Sequence, residues 1–128
     1  SASLYVVLPR LFSTSRSLVP VVYAGGWTLQ EHPEVAKNAS PITWVSDSDE
    51  PSLIVHGTED QLVPYPQSVD LEKALEEVGV PTILLTVDGG GHGQGFGPSV
   101  DQAVREFVRH HLLGEEMALD DETIASGE

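Results

Sequence analysis

The sequence predicts an α/β fold in which helices flank a parallel sheet. Between Ser52 and Gly114, two short apolar runs alternate with two stretches of helical periodicity, in the order strand, loop, helix, strand, loop, helix. Strands that alternate with helices in this way are joined by right-handed crossovers and lie parallel. The 128 residues fit a single domain. Two strands and two helices are only half of such an architecture.

The first 30 residues differ in composition from the rest. They contain Arg10 and Arg16 but no acid, whereas all 20 Asp and Glu residues lie within 31–128. Apolar clusters at 4–8 and 18–23 are consistent with two short strands. A serine-rich, acid-free composition is also typical of transit peptides. A third interpretation is that this segment is foreign to the domain that follows it. We therefore divide the chain into an atypical segment 1–30, an α/β region 31–114 and an acidic tail 115–128.

The first half of the α/β region contains one short helix and one buried strand. The helix is predicted near residues 34–38, and an irregular segment follows it, because residues before Pro41 and Pro51 are pushed out of the helical region. Residues 52–56, "SLIVH", are a short apolar run that ends before Gly57. Such a run fits a strand that is buried on both faces.

The first amphipathic helix is predicted over residues 67–78. Pro66 suits its first turn and Gly79 the position after its end. Its apolar stripe at i, i+3, i+4 and i+7 consists of Leu71, Ala74, Leu75 and Val78. Residues 81–87 then form a second strand rich in branched side chains, which leads into the glycine-rich stretch "DGGGHG" at 88–93.

A second helix follows this glycine-rich stretch. Ser99 and Gln102 have the spacing of a capping box at its start, and Gly114 ends it. One face is formed by Val100, Val104, Phe107, Val108, His111 and Leu112. The tail 115–128 is acidic and polar and is predicted to be disordered. Because two strands leave the sheet edges open, further strands are expected from segment 1–30 or from another chain.

Charge and composition exclude several classes of function. A net charge of −14 opposes binding to nucleic acids or anionic lipid, and we exclude both partners. No apolar stretch approaches the roughly 20 residues that cross a bilayer, and no signal-peptide pattern is visible. The absence of cysteine excludes disulfides, a thiol nucleophile and cysteine-based zinc sites. The sequence predicts a soluble protein whose compartment is not fixed, with the cytoplasm favoured.

Asp60 and His92 are the candidate catalytic residues. Each follows a predicted strand, and the carboxyl ends of parallel strands open onto one crevice, so the two side chains could meet although they are 32 positions apart. A carboxylate that accepts the proton of one imidazole nitrogen fixes the tautomer and stabilises the imidazolium. The other nitrogen is then available as general base and acid.

Other interpretations of these residues stay open at this point. Asp60 fits a turn aspartate that binds loop amides, and its neighbour Glu59 is a second candidate for the acid. Glycines around His92 suit a plain loop as well as a close backbone approach. His56, at the end of its strand, fits a hydrogen-bonded structural histidine. A metal site of His56, Asp60 and His92 is chemically feasible, although no spacing requires it.

The stretch "ASPITWVSDSDEPSLIVHGTEDQLVPYPQSVDLEKALEEVGVPTILLTVDGGGHG" resembles the C-terminal part of α/β-hydrolase esterases. The similarity is greatest to the feruloyl-esterase-like and carboxylesterase/lipase branch, which is related to dienelactone hydrolases and prolyl oligopeptidases, and it runs from about residue 25 to 113. The resemblance implies a partial α/β-hydrolase fold and a Ser-His-Asp mechanism. "HGTEDQLVP" would carry the triad acid, Asp60, and "GGGHG" the triad base, His92. It implies no organic cofactor and no metal.

The sequence departs from this family at the nucleophile. No G-x-S-x-G elbow and no "HGGG"-like oxyanion segment occur in the 128 residues. We therefore expect the chain alone to be a weak or inert hydrolase. A complementing chain could supply the elbow, two copies could assemble a site, or a serine of "STSRS" (Ser13, Ser15, Ser17) could be recruited near His92.

Two classes of function remain open on this basis. The first is hydrolysis of small or aryl esters, or of lactones, by a homo-oligomer or with a complementing chain. The second is a catalytically inactive fragment that self-associates or binds a partner. The source of the nucleophile separates the two.

Overall fold

A computed structural model describes residues 5–7 and 33–128 of the chain. Its strands are β1 (Tyr5–Val7), β2 (Ser52–Gly57), β3 (Thr82–Asp88) and β4 (Glu122–Ala125), and its helices are α1 (Pro33–Ala39), a short 3-10 helix (Pro41–Trp44), α2 (Pro66–Glu77) and α3 (Pro98–Leu113). The four strands pair in the order β1-β2-β3-β4, and every pair is parallel. The predicted α/β class, with a parallel sheet and flanking helices, is confirmed.

The sheet separates two apolar cores. One lies on the α3 side and contains Leu53, Val55, Ile83, Leu85, Val87, Val100, Ala103, Phe107 and Ile124. The other lies on the α2 side and contains Ile54, Leu71, Leu75, Val80 and Leu84. All six residues of β2 are buried, because successive side chains of a strand point to opposite faces and both faces are covered here.

Helix α2 forms where the periodicity predicts it, with Pro66 in its first turn. Its buried residues are Ser68, Leu71 and Leu75, whereas Val78 lies just after the helix and is 37% exposed. The buried face of the helix therefore extends towards its start through a polar residue, Ser68. A buried hydroxyl needs a hydrogen-bond partner, which Ser68 finds in the neighbouring strand.

Helix α3 differs from its prediction at the start. The predicted capping box of Ser99 and Gln102 is wrong: the residue before the helix is Gly97, without a side-chain cap, and Ser99 lies inside the first turn. Pro98 begins the helix because its fixed φ angle is already helical. The backbone N–H of Ser99, which has no partner within the helix, donates to the carbonyl of Glu128 at 2.9 Å.

The face of α3 is also rotated relative to the predicted one. Val100, Ala103 and Phe107 are its buried residues, and Leu112 is 52% exposed. The helix ends before Gly114 as predicted. The inclusion of Leu112 in the apolar face was wrong.

The prediction that the tail 115–128 is disordered was wrong. Residues 122–125 form β4, which adds to the open edge of β3 in parallel register, with Ile124 opposite Val87. Ile124 is the buried residue of this strand and joins the α3-side core. An unpaired strand edge presents a row of N–H and C=O groups, and these allow a mostly polar segment to pair.

The first segment contributes β1, which pairs with β2. One strand from this segment was expected at 4–8, and β1 lies within it. The second expected strand, at 18–23, and the serines Ser13, Ser15 and Ser17 lie outside the described residues. None of the helices within 33–128 is long and apolar enough to cross a bilayer.

The docking of β4 brings three carboxylates together. The carboxylate oxygens of Glu72, Glu76 and Asp121 lie within 4.8 Å of one another, and Asp121 accepts the backbone N–H of Leu84 at 2.8 Å. Glu72 Oε2 is buried and has no hydrogen-bond partner among the described residues. Burial, together with the charges of Asp121 and Glu76, raises the pKa of Glu72 to about 7.

We expect Glu72→Gln to stabilise the protein at pH 8 and not at pH 4. A carboxyl whose pKa is raised by folding contributes fully to stability when the pH is below its pKa in the unfolded state. This contribution is lost as pH rises through about 7, the pKa in the folded state. The expected gain at pH 8 is about 2 kcal/mol, after allowance for solvent screening. Denaturant unfolding at both pH values measures it, with the exposed Glu76→Gln as the control that should gain less.

Candidate active site

The loops after β2 and β3 meet at one edge of the sheet. Gly57, the last residue of β2, is paired with Val87 near the end of β3. Backbone hydrogen bonds continue beyond the strands: Thr58 N–H donates to Val87 O at 3.0 Å and Glu59 N–H to Gly90 O at 2.9 Å. This parallel pairing places the loop that bears Asp60 beside the loop that bears His92.

Gly57 allows the two loops to approach this closely. A Cβ atom at position 57 would overlap the backbone carbonyl groups of Gly90 and Gly91. Only glycine leaves this space free, because it has no side chain. The glycine that ends the first predicted strand is therefore required for the position of the histidine loop.

The Asp60 carboxylate is fully buried and accepts hydrogen bonds on both oxygens. Oδ1 accepts the backbone N–H groups of Leu62 and Val63, each at 2.8 Å. Oδ2 lies 2.9 Å from Nδ1 of His92. Asp60 thus has the turn geometry considered from sequence and the contact with His92 at the same time. The neighbouring Glu59 side chain is exposed.

The environment keeps Asp60 ionised. Burial raises its pKa, but the hydrogen bonds from Val63 N–H, His92 and Leu62 N–H outweigh burial, so the pKa lies below its ordinary value. An ionised carboxylate can only accept hydrogen bonds. His92 therefore donates Nδ1–H to Asp60, which leaves Nε2 as the basic nitrogen of the neutral ring.

His92 is partly accessible, with 24% of its side chain exposed. Its Nε2 has no hydrogen-bond partner among the described residues. The pair formed by Asp60 and His92 is therefore a buried acceptor joined to an accessible imidazole. This arrangement can take a proton from a hydroxyl group and return it to a leaving group.

The C-terminal residues support the loop that bears His92, which lies between β3 and α3. Ser126 N–H donates to Asp88 O at 2.8 Å, and Gly127 N–H donates to Gly95 O at 2.7 Å. Together with the bond from Ser99 to Glu128, these contacts attach both ends of the loop to residues 126–128. Sequence reasoning missed this support because it treated the tail as disordered.

Sequence reasoning also missed how His56 relates to the pair. His56 Nε2 lies 3.3 Å from Asp60 Oδ2 and 2.9 Å from the carbonyl of Val63, and Nδ1 lies 2.5 Å from Ser68 Oγ. The available signal was a histidine at the end of a buried strand, four residues before the candidate acid. A buried polar ring in that position must find partners nearby.

The carboxylates that lie close enough to share one cation are those of Glu72, Glu76 and Asp121, within the described part of the chain. They lie beside Leu84, in the first half of β3, and not at the carboxyl ends of the strands. His56, Asp60 and His92 are instead joined by direct hydrogen-bond distances of 2.9 and 3.3 Å.

Comparison with known proteins finds similarity to esterases. The family model BD-FAE matches residues 10–75, a range that includes Asp60 and ends before His92. Esterase LipC of Mycobacterium tuberculosis is 36% identical over 67 residues, which are 52% of this chain and 17% of that protein. The chain therefore spans less than a fifth of this relative.

Solved structures show the same fold. A truncated carbohydrate esterase from gut microbiota superposes with a TM-score of 0.61 and 36% identity, over 65% of this chain and 30% of that one. A puromycin hydrolase superposes with a TM-score of 0.56 and 27% identity, over 79% of this chain and 15% of that one. The architecture is that of a partial esterase of the α/β-hydrolase type.

Proposed function

The chain belongs to the BD-FAE family of esterases, and we propose that it carries the acid and the base of a carboxylic ester hydrolase. Asp60 is the acid and His92 is the base. The observation that supports the proposal is the 2.9 Å contact from His92 Nδ1 to Asp60 Oδ2, at the edge where two parallel strands end.

The proposed chemistry is proton transfer through Nε2 of His92. The imidazole takes the proton of an attacking hydroxyl, and later gives a proton to the departing alcohol. Asp60 holds the ring in the Nδ1–H tautomer and stabilises the imidazolium that forms in between. The low pKa of Asp60 supports this role, because a carboxylate that stays charged interacts favourably with the cation.

The nucleophile comes from outside the described residues in this proposal. A complementing chain or a second copy would supply a serine, together with the oxyanion-binding groups, or a serine of residues 13–17 would be recruited. Partial exposure of His92 is compatible with each of these sources, because the ring has one accessible side. The substrates are small-molecule esters, with small or aryl esters and lactones as the class to test first.

The test uses hydrolysis of p-nitrophenyl acetate by the 128-residue chain. An accessible imidazole can attack this activated ester directly or activate water, so the wild type should hydrolyse it without a serine partner. We expect His92→Ala to lower the enzyme-dependent rate at least about tenfold and Asp60→Ala to lower it by a similar factor. A fluorophosphonate probe applied to the same samples reports whether a serine of this chain is activated.

His111→Gln is the matched control, because His111 is also a partly buried histidine but lies on α3. Its rate should equal that of the wild type. Equal rates for the wild type and His92→Ala would contradict the proposal. A rate that falls equally in His92→Ala and His111→Gln would contradict it as well, since any histidine would then suffice.

A further inference from the structure

His56 is buried completely and has a partner at each ring nitrogen. It lies on β2, and its side chain is 0% exposed. Nδ1 faces Ser68 Oγ of α2 at 2.5 Å, and Nε2 faces Val63 O at 2.9 Å and Asp60 Oδ2 at 3.3 Å. Tyr65 covers the ring edge to face, with ring centroids 5.6 Å apart. The mechanism proposed above does not use this histidine.

We propose that His56 is a positioning residue that holds the Asp60 carboxylate in the orientation that receives the Nδ1–H of His92. This inference deepens the proposed function of the pair and rests on it. His56 does not touch a reacting atom, because it is sealed behind Asp60. Its effect passes through the carboxylate.

The hydrogen bonds around His56 assign its tautomer. The carbonyl of Val63 and the ionised Asp60 can only accept, so Nε2 carries the proton. Nδ1 is then an acceptor, and the hydroxyl of Ser68 donates to it. Ser68 thereby selects the ring form that presents N–H to the acid loop. This explains why a serine occupies a buried position in the apolar stripe of α2.

The position of the carboxylate follows from its full set of partners. Oδ1 is held by two backbone N–H groups of the loop, those of Leu62 and Val63. Oδ2 is shared by His92 and His56. Without His56, Oδ2 loses the donor on its inner side, and the carboxylate is free to rotate away from His92. Val63 also loses the donor to its carbonyl, which loosens the turn that carries the acid.

Two substitutions of His56 separate positioning from simple packing. The amide of His56→Gln reaches the place of Nε2 and can donate to Asp60 and Val63. The shorter amide of His56→Asn reaches the place of Nδ1, and keeps the contact with Ser68 but not the donor to the acid. Asn also leaves a larger cavity than Gln, and Ser68→Ala, which leaves the ring in place, controls for that difference in packing.

The readout is hydrogen exchange of the His92 Nδ1–H, measured by NMR on chain labelled with ¹⁵N-histidine. His92→Gln identifies the signal, and circular dichroism confirms that each variant is folded. We expect exchange at least about tenfold faster in His56→Asn, and within about threefold of the wild type in His56→Gln, since one donated hydrogen bond is at stake. Ser68→Ala, which hardly changes the packing, should accelerate exchange by about threefold or more because the tautomer is no longer selected.

Equal exchange in the wild type, His56→Asn and Ser68→Ala would overturn the inference. Equal acceleration in His56→Asn and His56→Gln would also overturn it, because the donor would then be irrelevant. The result is independent of ester turnover. Unchanged exchange beside normal His92-dependent hydrolysis refutes only the role of His56, whereas accelerated exchange beside an absence of hydrolysis refutes only the proposed function.

Discussion

Replacing Asp60 by Asn will lower the free energy of unfolding by about 2–3 kcal/mol at neutral pH. Asparagine keeps one acceptor for Leu62 and Val63, but it places an amide N–H₂ where Oδ2 receives His92. The Nε2–H of His56, whose tautomer is selected by Ser68, would then face a buried donor, and His92 would keep a hydrogen bond to the amide only in the tautomer that protonates Nε2. Urea unfolding of the wild type and the variant measures the difference.

The loss should depend on pH with a defined sign. The pKa of Asp60 lies below its ordinary value of 3.8 in the folded protein. Its contribution is therefore fully present above about pH 4, and it is lost as pH falls through the lower, folded value. Asp70→Asn, on the exposed side of α2, is the matched control and should change stability by less than about 0.5 kcal/mol. Equal effects of the two substitutions would contradict the geometry of the acid loop.

Replacing Gly57 by Ala will destabilise the protein by about 3 kcal/mol or more. The added methyl group overlaps the backbone of Gly90 and Gly91, and backbone cannot move aside as a flexible side chain can. Either the ends of β2 and β3 separate or the protein unfolds. In both cases His92 is displaced from Asp60, so hydrolysis that depends on His92 is lost.

Gly79→Ala distinguishes this collision from the general cost of replacing glycine. Gly79 has a left-handed φ of 86°, but a Cβ atom there meets nothing within 4 Å. It should cost about 1 kcal/mol through backbone strain and should leave the His92 Nδ1–H signal in place. Thermal unfolding measures the change in stability, and the His92 Nδ1–H signal reports whether the contact with Asp60 is kept. A Gly57→Ala variant that is as stable as the wild type would refute the close approach of the loops.

The placement of Asp60 and His92 could be predicted because parallel strands constrain it. Each residue follows a strand that is recognisable by its apolar run, and neighbouring parallel strands end at the same edge of the sheet. The distance of 32 positions along the chain is then irrelevant. Their catalytic roles stay a prediction, since the similarity to esterases concerns the family and the fold.

Strand β4 could not be predicted, because the signal for it lies outside its own sequence. Residues 122–125 contain one buried apolar side chain, Ile124, and no period that distinguishes them from a polar tail. The strand forms because β3 offers an unpaired edge and the α3-side core offers a site for Ile124. Such a strand is defined by its neighbours, and a local pattern cannot reveal it.

The role of Ser68 was hidden for a similar reason. The apolar periodicity of α2 does not mark Ser68, because this residue is polar although it is buried at the start of the helix. The relevant signal connects two elements: a histidine at the end of a buried strand requires polar partners on the helix that covers it. Such a pairing can be sought from sequence once the strand and the helix are assigned.

If Asp60 acts on ester hydrolysis through His92, a double-mutant cycle will show complete coupling between the two residues. The rates of p-nitrophenyl acetate hydrolysis are compared for the wild type, Asp60→Asn, His92→Ala and the double variant. We expect Asp60→Asn to lower the rate when His92 is present and to leave it unchanged when His92 is absent. Equal reductions in both backgrounds would contradict it.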